Sequence, residues 1–300
     1  MFEISAEIEG EDAAEALEAH FCEWVRSPWC LLRVRRDMPY RLFGYFDSPQ
    51  EAEAAWEQLR GDFPTLPAGP AARELDDADW QNAYKDFVKP WSTRELHWVP
   101  VWEREDYPLP PGHVAVYLDA GMAFGTGAHE TTRLCAERLL DFREARGREG
   151  FAGARVADAG CGSGILAISA ARLGCGDVYG FDHDPESVRV SRENRAFNGL
   201  AEEAARFERA GIEAGLHGVS ADLLLANIQA DILQIHAGRL VEALAPGGML
   251  CLSGILASEV DAVRGVFRAE AARAWGTEAA GDSRLLGEWC DLCFRRGGAG

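Results

Sequence analysis

The chain has 300 residues, 47% of them hydrophobic, which is enough for two globular cores. Against 30 basic residues stand 49 acidic ones, and the formal charge of −19 opposes direct binding to the phosphates of nucleic acid. No apolar run approaches the roughly 18 residues of a membrane span, and Met1-Phe2-Glu3-Ile4 lacks the basic start of a secretory signal, so a cytoplasmic monomer is expected.

Residues 2–60 read as a βαββα unit. Phe2 to Ile8 alternates with period two, and 12–26 carries apolar residues at helical spacing. Strands at 29–34 and 40–46 flank Asp37-Met38-Pro39, and Ser48 with Pro49 supplies an N-cap and an N1 proline for a second helix. A strand at 71–75 completes a ferredoxin-like fold. The unit holds no cluster of nucleophile, base or metal-ligand types, so its expected role is to bind or position a partner. A linker helix over 76–89 presents Trp80, Tyr84, Phe87 and Val88 on one face and stops at Pro90. Strands at 97–102 and 114–118 follow.

From Arg155 onward strand and helix alternate, the pattern of a doubly wound parallel sheet. The strands are expected at 155–158, 177–181, 205–209, 222–226 and 249–252, with an antiparallel last member at 288–294. Helices fall at 165–173, 185–198, 230–244 and 257–268. The one CxxC, Cys290 to Cys293, lies in that last strand, where residues three apart face opposite ways, and without a second pair it offers no zinc site. The eight cysteines show no disulfide framework and are expected as reduced thiols.

Ligands of such sheets bind outside the carboxyl ends of the strands, where the strand order reverses. The first strand ends at Asp158 and a turn with glycine at 160, 162 and 164, followed by a helix whose N-terminus favours an anionic group. Asp182, about 20 residues on, is where these folds place a carboxylate for a ribose diol, which points to an adenosine-containing ligand. The dinucleotide fingerprint would put its third glycine at 165, where this chain has Ile165. The GxGxG spacing is instead similar to the loop of class I S-adenosylmethionine-dependent methyltransferases. Asn227 ends a strand apolar enough to be buried on both faces. Standing alone it reads equally as an amide bonding its own turn or, beside a methyl donor, as a carbonyl that holds the N–H of an attacking amine and aims the lone pair. Thr132, in the first turn of a helix starting near His129, can direct its hydroxyl at the amino or carboxylate group of the cofactor. His129 reads as a turn residue, since nothing near it in sequence would fix its tautomer.

The motifs Phe124-Gly125-Thr126-Gly127, His129-Glu130-Thr131-Thr132, Gly160-Cys161-Gly162-Ser163-Gly164, Asp182-His183-Asp184-Pro185, Ala226-Asn227-Ile228 and Leu252-Ser253-Gly254-Ile255-Leu256 occur in that order. With Trp80, Lys85 and Lys89-Pro90 they resemble the ribosomal protein L11 methyltransferase family over nearly the whole chain. The resemblance implies a class I methyltransferase Rossmann-like sheet over 111–296, a ferredoxin-like substrate-recognition domain over 1–75 and a linker helix and strand over 76–110. It also implies transfer of methyl groups from S-adenosyl-L-methionine to lysine ε-amines and the N-terminal α-amine of large-subunit ribosomal protein L11. Thr132, Gly160, Asp182 and Asn227 are the implied cofactor contacts, with Asn227 also the catalytic residue. No metal is implied. Two departures stand out: Ala120 where the family has proline, and a charged segment, 141–153, that reads as a surface insertion.

Overall fold

The computed structural model describes residues 2–22, 28–32, 39–74, 88–119, 129–277, 279 and 281–298. The part of the expected linker helix that carries Trp80, Tyr84, Lys85 and Phe87, and the segment holding Ala120 and the Phe124 to Gly127 motif, lie outside the described residues. The chain divides into two compact units, Met1–Phe87 and Val88–Gly300.

In the first unit the elements run β1 (Phe2–Ile8), α1 (Glu11–Cys22), β2 (Trp29–Leu32), β3 (Tyr40–Phe46), α2 (Pro49–Asp62) and β4 (Ala71–Glu74). The strands form one antiparallel sheet in the order β2-β3-β1-β4, the ferredoxin-like arrangement. Alternation along β1 turns Ile4, Ala6 and Ile8 inward, where they meet Leu42 of β3, Leu17 of α1, and Ala52, Trp56 and Leu59 of α2. Ser48 caps α2: its Oγ accepts the Glu51 amide proton at 3.2 Å, and Pro49 fills the first turn.

The second unit opens with β5 (Trp91–Thr93), β6 (Leu96–Pro100) and β7 (Val114–Leu118), a small sheet in which β6 and β7 run parallel. Next come α3 (Glu130–Ala152), β8 (Arg155–Ala159), α4 (Ile165–Arg172), β9 (Asp177–Asp182), α5 (Pro185–Phe197), β10 (Arg206–Arg209) and β11 (Ala221–Asn227). The chain continues through α6 (Ala230–Ile235), α7 (Ala237–Glu242), β12 (Leu244–Leu256), α8 (Val260–Trp275), β13 (Gly281–Asp282), β14 (Leu285–Leu286) and β15 (Trp289–Arg295). The main sheet has the order β10-β9-β8-β11-β12-β15-β13, with β14 also paired to β15. Strands β8 to β12 are parallel and β15 is antiparallel to its neighbours. After β8 the next strand lies on one side, whereas β11 lies on the other, so the crevice at the carboxyl end of β8 is the switch point.

Successive residues of the central strands serve two cores. Val156, Leu223, Leu225, Met249, Cys251 and Cys293 pack with α3, α4 and α5, while Ala157, Leu224, Ala226, Leu250, Leu252 and Phe294 pack with α6, α7 and α8. Burial on both faces explains why these strands read as continuous apolar runs. The CxxC obeys the same alternation: Cys293 faces Cys251 with 3.8 Å between sulfurs, and Cys290 pairs with Ile255, a residue of the opposite core.

Several elements depart from the sequence reading. Segment 141–153 is exposed at 144–150, as expected of a surface segment, but its two phenylalanines are not at the surface. It continues α3, with Phe142 and Phe151 buried in the core, their ring centres 6.3 Å apart. Gly147, at φ 66° and ψ 174°, kinks the helix between the two rings, and the exposed charges around it hide the apolar spacing. The helix expected at 230–244 breaks at His236, whose ring meets Glu213 at 3.0 Å. The last helix begins later than expected, because 257–259 form a turn in which Glu259 accepts the Leu256 amide proton at 3.0 Å.

A buried ion pair ties α3 to the far edge of the sheet. Arg138 donates from Nε and Nη2 to the two oxygens of Asp291 at 2.7 and 2.9 Å and also pairs with Asp282. Asp291 further accepts the Arg284 amide proton at 2.7 Å, so its charge is fully engaged.

Candidate active site

After Asp158 at the end of β8 the chain passes through Gly160, Gly162 and Gly164 at φ 73°, 51° and 78°, a region side chains resist. The loop therefore folds back on the neighbouring strand. The amides of Gly160 and Cys161 both donate to the Phe181 carbonyl, at 2.9 and 3.0 Å, and the Gly164 amide donates to the Cys161 carbonyl at 2.8 Å. Space also demands glycine at 160, because a Cβ there would lie 2.5 Å from Cγ2 of Ile228. That contact brings the loop after β8 against the segment after β11, joining the two sides of the switch point.

Asp182, at the end of β9, faces this loop and is 8% exposed. One carboxylate oxygen accepts the Gly162 amide proton and the other the Asp184 amide proton, each at 3.0 Å. His183 approaches the second oxygen at 3.3 Å. A carboxylate oxygen that holds one amide keeps further acceptor capacity. Asp184 has a separate local task. It caps α5, accepting the amide protons of Glu186 and Ser187 at 3.1 and 3.3 Å, and these bonds hold its carboxyl below the usual range.

Behind the loop, Asp158 is buried and accepts the Ala167 amide proton at 3.0 Å. Burial pushes its carboxyl up to about 7; the Ala167 bond opposes the rise and the charge of Asp182 adds to it. An acid that changes charge near neutrality thus sits directly under the glycine turn.

Asn227 ends β11 and meets Thr132, in the first turn of α3: its Nδ2 donates to the Thr132 Oγ1 at 3.3 Å. This bond orients the amide and leaves its oxygen as an acceptor. Thr132 is 1% exposed, and Ser253, opposite Asn227 on β12, donates to the Thr131 carbonyl at 3.0 Å. His129 caps α3: its Nδ1 lies 3.4 Å from the Thr131 amide and 2.9 Å from the Thr131 hydroxyl. Its ring stands edge-on to Trp289 at 5.0 Å.

Four residues named from the sequence, Thr132, Gly160, Asp182 and Asn227, therefore stand around one crevice in two pairs of linked segments. Thr132 holds Asn227, and the Gly160 to Gly164 turn is tied to Asp182. Sequence reading missed two further residues one turn apart, Asn194 on α5 and Asn198 at its C-cap. Asn198 accepts the Tyr117 amide proton at 2.9 Å and donates to the Tyr117 carbonyl at 2.7 Å. Asn194 accepts the Asp119 amide proton at 2.8 Å and donates to the Ser163 carbonyl at 2.9 Å. Two amides thus take the place of a neighbouring strand along β7 and fasten the glycine turn to it. Their spacing of four on an otherwise amphipathic helix was the available signal.

Comparison with known proteins bears on this site. The family model described as ribosomal protein L11 methyltransferase (PrmA) matches residues 22–296. A ribosomal protein L11 methyltransferase of Pelobacter propionicus is 38% identical over 261 residues, covering 84% of this chain and 80% of that one. Another, of Azotobacter vinelandii, is 37% identical over 251 residues, covering 82% and 80%. Among solved structures, a ribosomal protein L11 methylase from Lactobacillus delbrueckii subsp. bulgaricus aligns with a TM-score of 0.57 at 31% identity, over 68% of this chain and 96% of that one.

Proposed function

From the premise that this chain belongs to the ribosomal protein L11 methyltransferase family, we propose that it moves methyl groups from S-adenosyl-L-methionine to lysine ε-amines and the N-terminal α-amine of ribosomal protein L11. The fold is that of a class I methyltransferase, and methyl transfer is the activity of the family. The cofactor, the amine acceptors, the cytoplasmic setting and the monomeric state are our reading.

The observation that carries it is the convergence at the switch point of an amide-fixed carboxylate, Asp182, with an oriented amide, Asn227. The donor set fits an adenosine sulfonium. Asp182 has acceptor capacity left for a ribose diol, and the glycine turn allows close approach of a ligand to the backbone. No diphosphate-sized set of cationic side chains is needed. When bound, the cofactor supplies the methyl that an amine takes by in-line displacement.

The protein's own part is alignment. Asn227 offers its oxygen to an N–H of the incoming amine, and Thr132 keeps that oxygen aimed by holding the amide nitrogen. The Thr132 proton remains available to a polar group of the cofactor. Gly160 keeps the turn thin against Ile228. The amine must arrive neutral, and no covalent enzyme intermediate is required. The N-terminal unit is assigned the recognition of the protein substrate.

Incubation with methyl-labelled S-adenosylmethionine and purified ribosomal proteins tests the reading, with peptide mass spectrometry to locate the label. Label on amines of L11 is expected. Tight binding of NAD, without binding of S-adenosylhomocysteine and without label on any ribosomal protein, would overturn it.

A further inference from the structure

The exposed face at the β14–β15 hairpin is explained neither by the fold nor by the cofactor. Register places Leu256 of β12 opposite Trp289 of β15, and Trp289 in turn opposite Leu286 of β14. Directly opposed residues of antiparallel strands share a face, so the three form one apolar row across three strands. The row lies on the α3 side of the sheet, since Trp289 meets His129 and Asp291, two residues on, meets Arg138. Leu256 and Leu286 are 37% and 38% exposed, and Trp289 is half-buried. Single exposed apolar residues need no account, whereas a contiguous row marks an interaction surface.

Two observations select the occupant. The row continues the candidate site: Leu256 is three strand positions beyond Ser253, the partner of Asn227, a separation of roughly 10 Å. A chain lying on the row can therefore deliver the end of a long side chain to Asn227. Its borders are also acidic. Glu288, in the hairpin turn beside Trp289, is exposed, and Glu130, near Gly287, is half-exposed. Together with the charge of −19 this suits a cationic partner.

We propose that the row formed by Leu256, Trp289 and Leu286 is a docking platform for the part of the protein substrate that enters the crevice, adding to the recognition assigned to the N-terminal unit and seating an apolar residue of a basic segment next to the amine to be methylated. The assignment rests on the reading of this chain as a methyltransferase of ribosomal protein L11. Apolar contact gives the grip, and Glu288 with Glu130 attracts the basic flank. Leu285 points to the opposite face, although it is 64% exposed, and serves as an internal control.

The test is titration calorimetry of purified L11 into the full chain in the presence of S-adenosylhomocysteine, alongside methyl transfer. The combined change Leu256→Ser and Leu286→Ser is expected to weaken L11 binding by about tenfold or more and to raise KM for L11 while kcat changes little. Binding of S-adenosylhomocysteine, which reports an intact fold, should stay within about twofold. Glu288→Lys should weaken L11 binding and flatten its dependence on salt. Leu285→Ser should leave it unchanged. Unaltered L11 affinity in the double variant overturns the platform, as does an equal loss in Leu285→Ser. A dimer of the wild type that the double variant dissociates, with L11 affinity unaltered, assigns the row to a second copy and overturns it too. If the wild type binds L11 and the double variant does not, yet no methyl is transferred, the platform stands and the activity fails. Normal methylation with unaltered affinity in the variant gives the converse.

Discussion

Asp182 does two things at once, and substitution separates them from the work of Asn227. Its carboxylate fixes the amides of Gly162 and Asp184, so Asp182→Ala removes both the acceptor proposed for the ligand and the tether of the turn. Loss of charged hydrogen bonds of this kind costs about 2 kcal/mol or more, so affinity for S-adenosylhomocysteine should fall at least about tenfold by calorimetry. Asn227→Ala should disturb that affinity less and lower turnover more; the reverse order would contradict the assigned roles. Asp158 makes a prediction about pH. Its folded-state carboxyl titrates at about 7, above the value of about 4 in an unfolded chain. Between these values the folded protein keeps a proton that the unfolded chain releases. Stability contributed by this group therefore falls as pH rises through that window and levels off above it. Asp158→Asn, which can still accept the Ala167 amide proton, should flatten the pH dependence of thermal unfolding between about pH 5 and about pH 8.

Glycine positions show how elements are held together rather than merely allowed to turn. Gly254 has φ 81°, and a Cβ on it would lie 2.3 Å from the Ile228 carbonyl oxygen; Gly218 has a similar φ of 72° and open space around it. Gly218→Ala should cost about 1 kcal/mol from the backbone alone. Gly254→Ala should cost clearly more, by urea denaturation, because β12 must also move away from the segment after β11. The central parallel strands β8, β11 and β12 were legible in the sequence because each carries an apolar run bounded by glycine or a polar end, whereas β10, at the edge, has only Phe207 buried. The same punctuation located Gly160, Asp182 and Asn227 at strand ends. Their partners were not legible. The Gly162 amide on Asp182, the Ile228 side chain on Gly160 and the Thr132 hydroxyl on Asn227 join residues far apart in sequence, and only the sheet order brings them together. The full length of α3 was hidden for a different reason: Gly147 and a run of charges interrupt the pattern that Phe142 and Phe151 would otherwise complete. A strand as short as β14 carries no periodic signal at all.

At the scale of the whole molecule, two compact units divide the labour proposed for the protein, and they can be perturbed separately. Trp56 lies in the core of the first unit beside Trp29, with ring centres 5.9 Å apart. Trp56→Ala should destabilise that unit by about 3–5 kcal/mol. Methylation of L11 should then fall while affinity for S-adenosylhomocysteine stays near the wild-type value, since the described residues proposed to hold the cofactor all belong to the second unit. Equal loss of both would show that the cofactor site depends on the first unit. The clamp made by Asn194 and Asn198 has a consequence for the ageing of the protein. Asn198 precedes Gly199, the pairing most prone to spontaneous deamidation, because little hinders the following amide nitrogen from attacking the side chain. Here both ends of that side chain are engaged with Tyr117. Folding therefore shields a chemically fragile bond, and deamidation there would turn a donor into a carboxylate facing the Tyr117 carbonyl. The donor half of the Asn198 hold on β7 would be lost, while the Asn194 contact with Asp119 and the crevice residues themselves stay unchanged. Peptide mapping after prolonged storage should find Asn198 intact in folded protein and converted in unfolded chains, so the rate of conversion at this site reads out how often this one helix end lets go.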